Sequence, residues 1–229
     1  MKGSFIQRSS NTRSVRVRIL LICEGEKTEP QYFNELRQEY RHPWLEMRHA
    51  PSDYTDPQNL VTFARDTFLK GYNNGHGHKF DAKAFDEVYI LFDRDDHQGY
   101  AAALQKAKDI EPGLRNDFKK RIIFMALPSS PCFELWLVLH YKDVSNLPPR
   151  AELFDDLKRC WGGYEKGAAG TFAKTKDLLP KACKRAADLN QKSTPLSNDK
   201  GYTGVVTLVE RVRTLHERYV RERSILMTS

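Results

Sequence analysis

Four short apolar runs, each followed by a segment with helical spacing, restrict this chain to a narrow set of folds. Val15 to Cys23 alternates at first, with Val15, Val17 and Ile19 apolar and Arg16 and Arg18 polar. It then turns fully apolar, as a strand does on entering the middle of a sheet. Thr28 opens a helix, with Gln31 three positions later completing a capping-box pattern. Pro30 falls in the first turn, where a missing N–H does no harm, and Tyr32, Phe33 and Leu36 continue the stripe to about Tyr40. Trp44 to Arg48 alternates as a second strand. Pro57 starts a second helix with Leu60, Val61, Ala64, Phe68 and Leu69 on one face, and the Gly-, Asn- and His-rich stretch from Gly71 to Lys79 reads as a loop. Glu87 to Phe92 is a third strand, Tyr100 to Asp109 a third helix, and Arg121 to Leu127 a fourth strand. Ser129-Ser130-Pro131 then opens an apolar helix from Cys132 to Tyr141. The order βαβαβαβα over the first 142 residues predicts a three-layer α/β domain with a parallel sheet and right-handed crossovers.

Three segments follow from this pattern. Residues 1–14 are polar, with Lys2, Arg8 and Arg13, and read as a flexible basic arm. Residues 15–145 form the α/β domain. Residues 146–229, from just before Pro148-Pro149, read as a helical extension packed on that domain, with no further strand and with helices near 150–160, 171–189 and 204–223. In the last helix Val205, Leu208, Val209, Val212, Leu215 and Tyr219 recur at helical spacing. Its arginines are interleaved with Glu210, Glu217 and Glu222, which reads as a solvated, salt-bridged face.

Composition removes several classes. No apolar stretch approaches the roughly 20 residues that span a bilayer. The start of the chain carries no apolar core of a signal peptide, so a cytoplasmic location is expected. Cys23, Cys132, Cys160 and Cys183 show no CxxC spacing, which argues against a disulfide framework or a zinc site. The formal charge of +7 favours a polyanionic partner such as nucleic acid. Nothing in the sequence fixes the oligomeric state, and a homo-oligomer is compatible with it.

The chemistry concentrates where apolar runs end. Leu20-Leu21-Ile22-Cys23 runs into Glu24-Gly25-Glu26-Lys27-Thr28-Glu29, and Val88-Tyr89-Ile90-Leu91-Phe92 into Asp93-Arg94-Asp95-Asp96. In a parallel sheet the strand C-termini share one edge, where ligands bind. Acids gathered there repel one another and call for a cation, and hard oxygen ligands favour Mg²⁺, Mn²⁺ or Ca²⁺ over zinc. Glu24 reads as a metal ligand or acid/base, or equally as an ordinary loop acid. Asp93 and Asp95, two apart in extended backbone, point the same way and could hold one cation. Asp96 would cap the next helix. His97 is an outer ligand, a phosphate contact or a plain loop histidine, and Arg94 could offset the acidic repulsion or grip a phosphate. Glu134 sits early in an apolar helix, where an unpaired buried carboxylate is expensive, and could serve a second metal or favour the helix N-terminus. Lys27 could reach a scissile phosphate. Lys166, Lys174 and Lys176 are candidate phosphate-neutralising or surface lysines. His140 reads as a packed core histidine, and His76 and His78 as a loop pair without a metal role.

Three motifs in this order, Cys23-Glu24-Gly25-Glu26-Lys27-Thr28-Glu29-Pro30-Gln31-Tyr32-Phe33, Phe92-Asp93-Arg94-Asp95-Asp96-His97 and Pro131-Cys132-Phe133-Glu134-Leu135-Trp136, resemble the RloB-like family, with Tyr202-Thr203-Gly204-Val205 as a looser late match. The resemblance runs from about residue 15 to 215. It implies a Toprim-like three-layer Rossmannoid, related to the OLD-type nucleases, in which Glu24 takes the Glu position and Asp93 and Asp95 the DxD positions. It also implies Glu29 and Glu134 as further metal ligands, and a separate RloA-like AAA/ABC ATPase as partner in abortive-infection phage defence. The expectation is therefore a Mg²⁺- or Mn²⁺-dependent nuclease acting on DNA or RNA, tRNA included, with Glu24, Asp93, Asp95 and Lys27 catalytic. Arg94, His97, Lys166, Lys174 and Lys176 would contact the nucleic acid. Two rivals remain at this level: a non-catalytic metal- and nucleic-acid-binding subunit of an ATPase complex, and a small-molecule phosphohydrolase.

Overall fold

A computed structural model of the chain describes residues 16–75, 77, 79–94 and 99–228. The expected basic arm, His76, His78, Asp95, Asp96 and His97 lie outside the described residues. Strand β1 (Val17–Cys23) leads into α1 (Thr28–Glu39), β2 (Leu45–Ala50) and α2 (Pro57–Lys70). A two-stranded antiparallel hairpin, β3 (Tyr72–Asn73) and β4 (Lys79–Phe80), occupies the stretch expected to be loop. Stacking of Tyr72 on Phe80, with ring centroids 5.4 Å apart, gives that short ribbon the cross-strand contact that glycine and asparagine cannot supply. Then follow β5 (Glu87–Asp93), α3 (Tyr100–Ile110), β6 (Ile123–Ser130), α4 (Glu134–Val138), α5 (Arg150–Trp161), α6 (Thr171–Thr175), α7 (Leu179–Gln191), β7 (Tyr202–Thr203) and α8 (Val205–Thr228).

The central sheet has the order β2-β1-β5-β6-β7, with β1, β2, β5 and β6 mutually parallel. Chain order departs from β1 in one direction to β2 and then returns past it to β5. The β1/β5 boundary is thus a topological switch point, the place where such sheets open a crevice at their C-terminal edge. Alternation along the strands separates two cores. Ile19, Leu21, Cys23, Tyr89 and Leu91 face α1 and the helices from α4 to α8, whereas Leu20, Ile22, Val88, Ile90 and Phe92 face α2 and α3. The parallel three-layer α/β expectation is borne out.

Four local expectations are corrected. The strands do not stop at Pro148-Pro149: β7 pairs antiparallel with the end of β6, Ser129 opposite Thr203 and Ser130 opposite Tyr202. A two-residue edge strand carries too little periodicity to read from sequence. The apolar helix expected over 132–141 shortens to Glu134–Val138, and the one expected over 171–189 breaks into α6, a 3₁₀ turn and α7, with Pro180 in the first turn of α7. Thr28 makes no cap hydrogen bond; its hydroxyl instead accepts from the Gly167 N–H at 2.9 Å. Long-range demand from the 165–170 loop outweighs the local capping box. No described helix is long and apolar enough to cross a membrane.

Candidate metal centre

The site is built where β1 and β5 end side by side. Cys23 is in register with Leu91, and the next residue, Glu24, donates its backbone N–H to the Leu91 carbonyl at 2.9 Å. That contact brings the Glu24 carboxylate to the end of β5, where its Oε2 accepts from the Asp93 N–H at 2.9 Å. Glu24 thus pins the strand end that presents Asp93. Asp93 points into the α1/α4 layer and is 9% exposed. Its Oδ1 accepts from the Phe133 N–H at 2.9 Å, just ahead of α4, and its Oδ2 from Arg150 Nη2 at 3.2 Å, at the start of α5.

Two further carboxylates are buried against it. Glu134 is 1% exposed; its Oε1 accepts from the Tyr164 hydroxyl at 3.0 Å, while its Oε2 is buried with no hydrogen-bond partner. Glu29, in the first turn of α1, is 5% exposed, and its Oε2 is likewise buried without a partner. Its carboxylate lies directly over Gly25: a Cβ added there would overlap it, meeting even the Glu29 Cδ at 2.7 Å. An alanine at 25 would therefore displace the Glu29 carboxylate from the position it holds. Cys132 supplies a third potential ligand atom alongside Asp93 and Glu134, all within 4.8 Å of one another.

The electrostatics agree with crowding. Burial, then the Glu29 and Glu134 carboxylates, hold Asp93 well above the usual carboxylate range, with Arg150 opposing. Glu29 is pushed up to about 6, first by burial and then by Glu134, with Lys166 opposing. Burial, then Glu134 and Asp93, raise the Cys132 thiol, so it packs as a neutral thiol beside the oxygens. Such a cluster either holds protons or shares a cation. The orphaned Glu134 oxygen lies in the Asp93, Cys132 and Glu134 group, and the orphaned Glu29 oxygen is buried close enough for its charge to raise Asp93; such unsatisfied buried oxygens fit a metal ion, since native structures seldom leave them so. This buried Asp/Cys/Glu cluster could hold one.

The remaining expected residues separate by position. Lys27 is exposed at the start of α1, its Cβ beneath Gly167, and Lys166 is on the same loop, close enough for its charge to oppose the rise of Glu29. That loop is strapped to α1: besides Thr28, the Glu35 carboxylate accepts from the N–H groups of Gly170 (2.6 Å), Phe172 (2.9 Å) and Ala173 (3.2 Å). Lys174 and Lys176 are not brought to the carboxylates. Lys174 stands over the Trp161 ring at 5.2 Å, and Lys176 reaches Glu39 at 3.3 Å, ten residues along α1 from Glu29, or about 15 Å at a helical rise. Arg94 is drawn into the Ser197 carbonyl and the Asn198 side chain, with its guanidinium 5.7 Å from the Tyr100 ring. His140 is buried, Nδ1 against the Trp136 carbonyl at 3.0 Å, as expected of a core histidine, and burial lowers it to about 4. Sequence reasoning missed Cys132, Arg150 and Tyr164 as parts of the centre. Cys132 had a signal, two positions before Glu134; Arg150 and Tyr164 had none, because they arrive from the helical extension.

The family described as RloB-like protein matches residues 19–212, a span that takes in every residue of this centre. No curated protein and no solved structure matches the chain.

Proposed function

We propose, from the premise that the chain belongs to the RloB-like family, that it is a divalent-cation-dependent nuclease cleaving phosphodiester bonds in DNA or RNA. The observation that carries this reading is the pair of partnerless buried oxygens, Glu29 Oε2 and Glu134 Oε2, crowded with Asp93 at the switch point of the sheet. Asp93, Glu134 and Glu29 would hold Mg²⁺ or Mn²⁺, with Asp95 as the further ligand that the DxD pattern suggests. When bound, such an ion supplies Lewis-acid polarisation and a water of lowered pKa. The chain's own groups do the rest. Glu24 fixes the end of β5, Tyr164 orients Glu134, and Lys27 and Lys166 place positive charge at the rim, where a phosphate gathers negative charge. In keeping with the family resemblance, the protein would act as a phage-defence effector beside a separate RloA-like ATPase.

One observation favours the non-catalytic alternative: the Arg150 guanidinium already partners Asp93 Oδ2. Cleavage decides. Purified protein, alone and with its ATPase partner, is incubated with DNA and tRNA in Mg²⁺ or Mn²⁺. Cleavage should disappear with EDTA and in Asp93→Asn and Glu134→Gln. Full cleavage by both variants, or binding without cleavage by the native complex, would overturn the nuclease reading.

A further inference from the structure

A groove of about 920 Å³ opens between the outer face of α1 and the edge strand β2. Its lining includes Pro30 and Gln31, the two residues after Glu29 in the first turns of α1. Among the described residues five cationic side chains line it, Arg16, Arg37, Arg41, Arg48 and Lys79, all exposed, against one acid, Glu46. Glu46 is claimed by Arg16 at 3.0 Å and Arg48 at 2.6 Å, which leaves the groove strongly positive. Charges on an edge strand also prevent edge-to-edge pairing, but one or two outward lysines suffice for that. Here three of the five cations come from α1, the segment just after it, and β4, and the Asn34 and Gln38 amides stand beside them on α1 and along the same wall.

We infer that this groove carries the sugar–phosphate backbone of a single nucleic-acid strand into the metal centre. The inference rests on the nuclease reading only for what the strand is delivered to. Guanidinium groups bind phosphate in bidentate fashion and present flat faces to unstacked bases, and side-chain amides add hydrogen bonds. The volume is that of a small-ligand cleft, and the flat guanidinium faces suit unstacked bases better than a paired duplex.

The test is fluorescence anisotropy with labelled oligo-deoxythymidine and oligo-uridine, in EDTA so that cleavage plays no part. It compares the native chain, Arg37→Glu/Arg41→Glu, and Lys108→Glu on the opposite helical layer, all with matched melting temperatures. Losing two phosphate contacts should lower the slope of log K against log salt by about 1.4, or about 25-fold weaker binding at 0.1 M salt. Lys108→Glu should bind as the native chain does. Unchanged binding by the double variant, no binding by the native chain, tighter binding of duplex than single strand, or equal binding of poly-glutamate would each overturn the proposal. A parallel Mn²⁺ cleavage assay on the native chain and Asp93→Asn separates the two readings. Groove-dependent binding without cleavage sinks the nuclease and leaves the groove standing, whereas Asp93-dependent cleavage with unchanged binding does the reverse.

Discussion

Replacing Glu29 with glutamine should stabilise the metal-free protein, although it removes a residue from the centre. Glu29 is buried, and burial with the nearby Glu134 carboxylate lifts it from 4.5 to about 6. Because the folded value lies above the unfolded one, the neutral acid is favourable below about 4.5, and that benefit disappears as pH rises through about 6. A rise of about 1.5 pH units corresponds to about 2 kcal/mol, at 1.36 kcal/mol per unit. At pH 8 in EDTA, Glu29→Gln should therefore be about 2 kcal/mol more stable than the native chain. For a chain of 229 residues that is a melting temperature higher by about 4–8 °C. The gap should close toward pH 4.5, where both side chains are neutral. Adding Mn²⁺ should reverse the order at high pH, since an ion at a hundred times its Kd returns about 2.7 kcal/mol to the native chain alone. Thermal melts followed by circular dichroism between pH 4.5 and 8, with and without Mn²⁺, measure all three. A glutamine variant no more stable than the native chain at pH 8, or a gap that ignores pH, would refute the reasoning.

Gly25→Ala should fold normally, because only the flexible end of Glu29 must move, yet lose most of the Mn²⁺-induced rise in melting temperature. Glu35→Ala removes the acceptor for three N–H groups at the start of α6 and should cost about 1–2 kcal/mol in urea denaturation, with faster proteolysis within residues 165–170. Arg211→Met strands the buried Glu87, whose carboxylate it holds at 2.9 Å, and should cost about 3 kcal/mol; adding Glu87→Gln should restore much of that loss.

The fold was legible because the parallel strands are buried on both faces and read as near-continuous apolar runs. The acids that follow β1 and β5 could be paired from sequence because a parallel sheet puts its strand ends on one edge. What stayed hidden came from long range. Thr28 looked like a local cap until Gly167, far along the chain, took its hydroxyl. Arg150 and Tyr164 gave no local signal, since their roles exist only once the extension has folded over the sheet edge. Glu24 was legible as a site residue, but its hydrogen bond to the Asp93 backbone depends on strand register, which no single-sequence pattern specifies. The cationic groove escaped notice for the same reason: Arg37 and Arg48 belong to different elements and share a wall only in three dimensions.

The strap from Glu35 and Thr28 to residues 167–173 also bears on synthesis. Glu24, Glu29 and Asp93 leave the ribosome first, whereas Tyr164, which orients Glu134, and the loop that covers α1 are made later, and β7 later still. At about 5–20 residues per second, the interval is several seconds during which the acids exist without their enclosure. The expected result is that chains ending before residue 164 show no Mn²⁺-dependent thermal shift, so that ion uptake waits for the part of the chain that is made last.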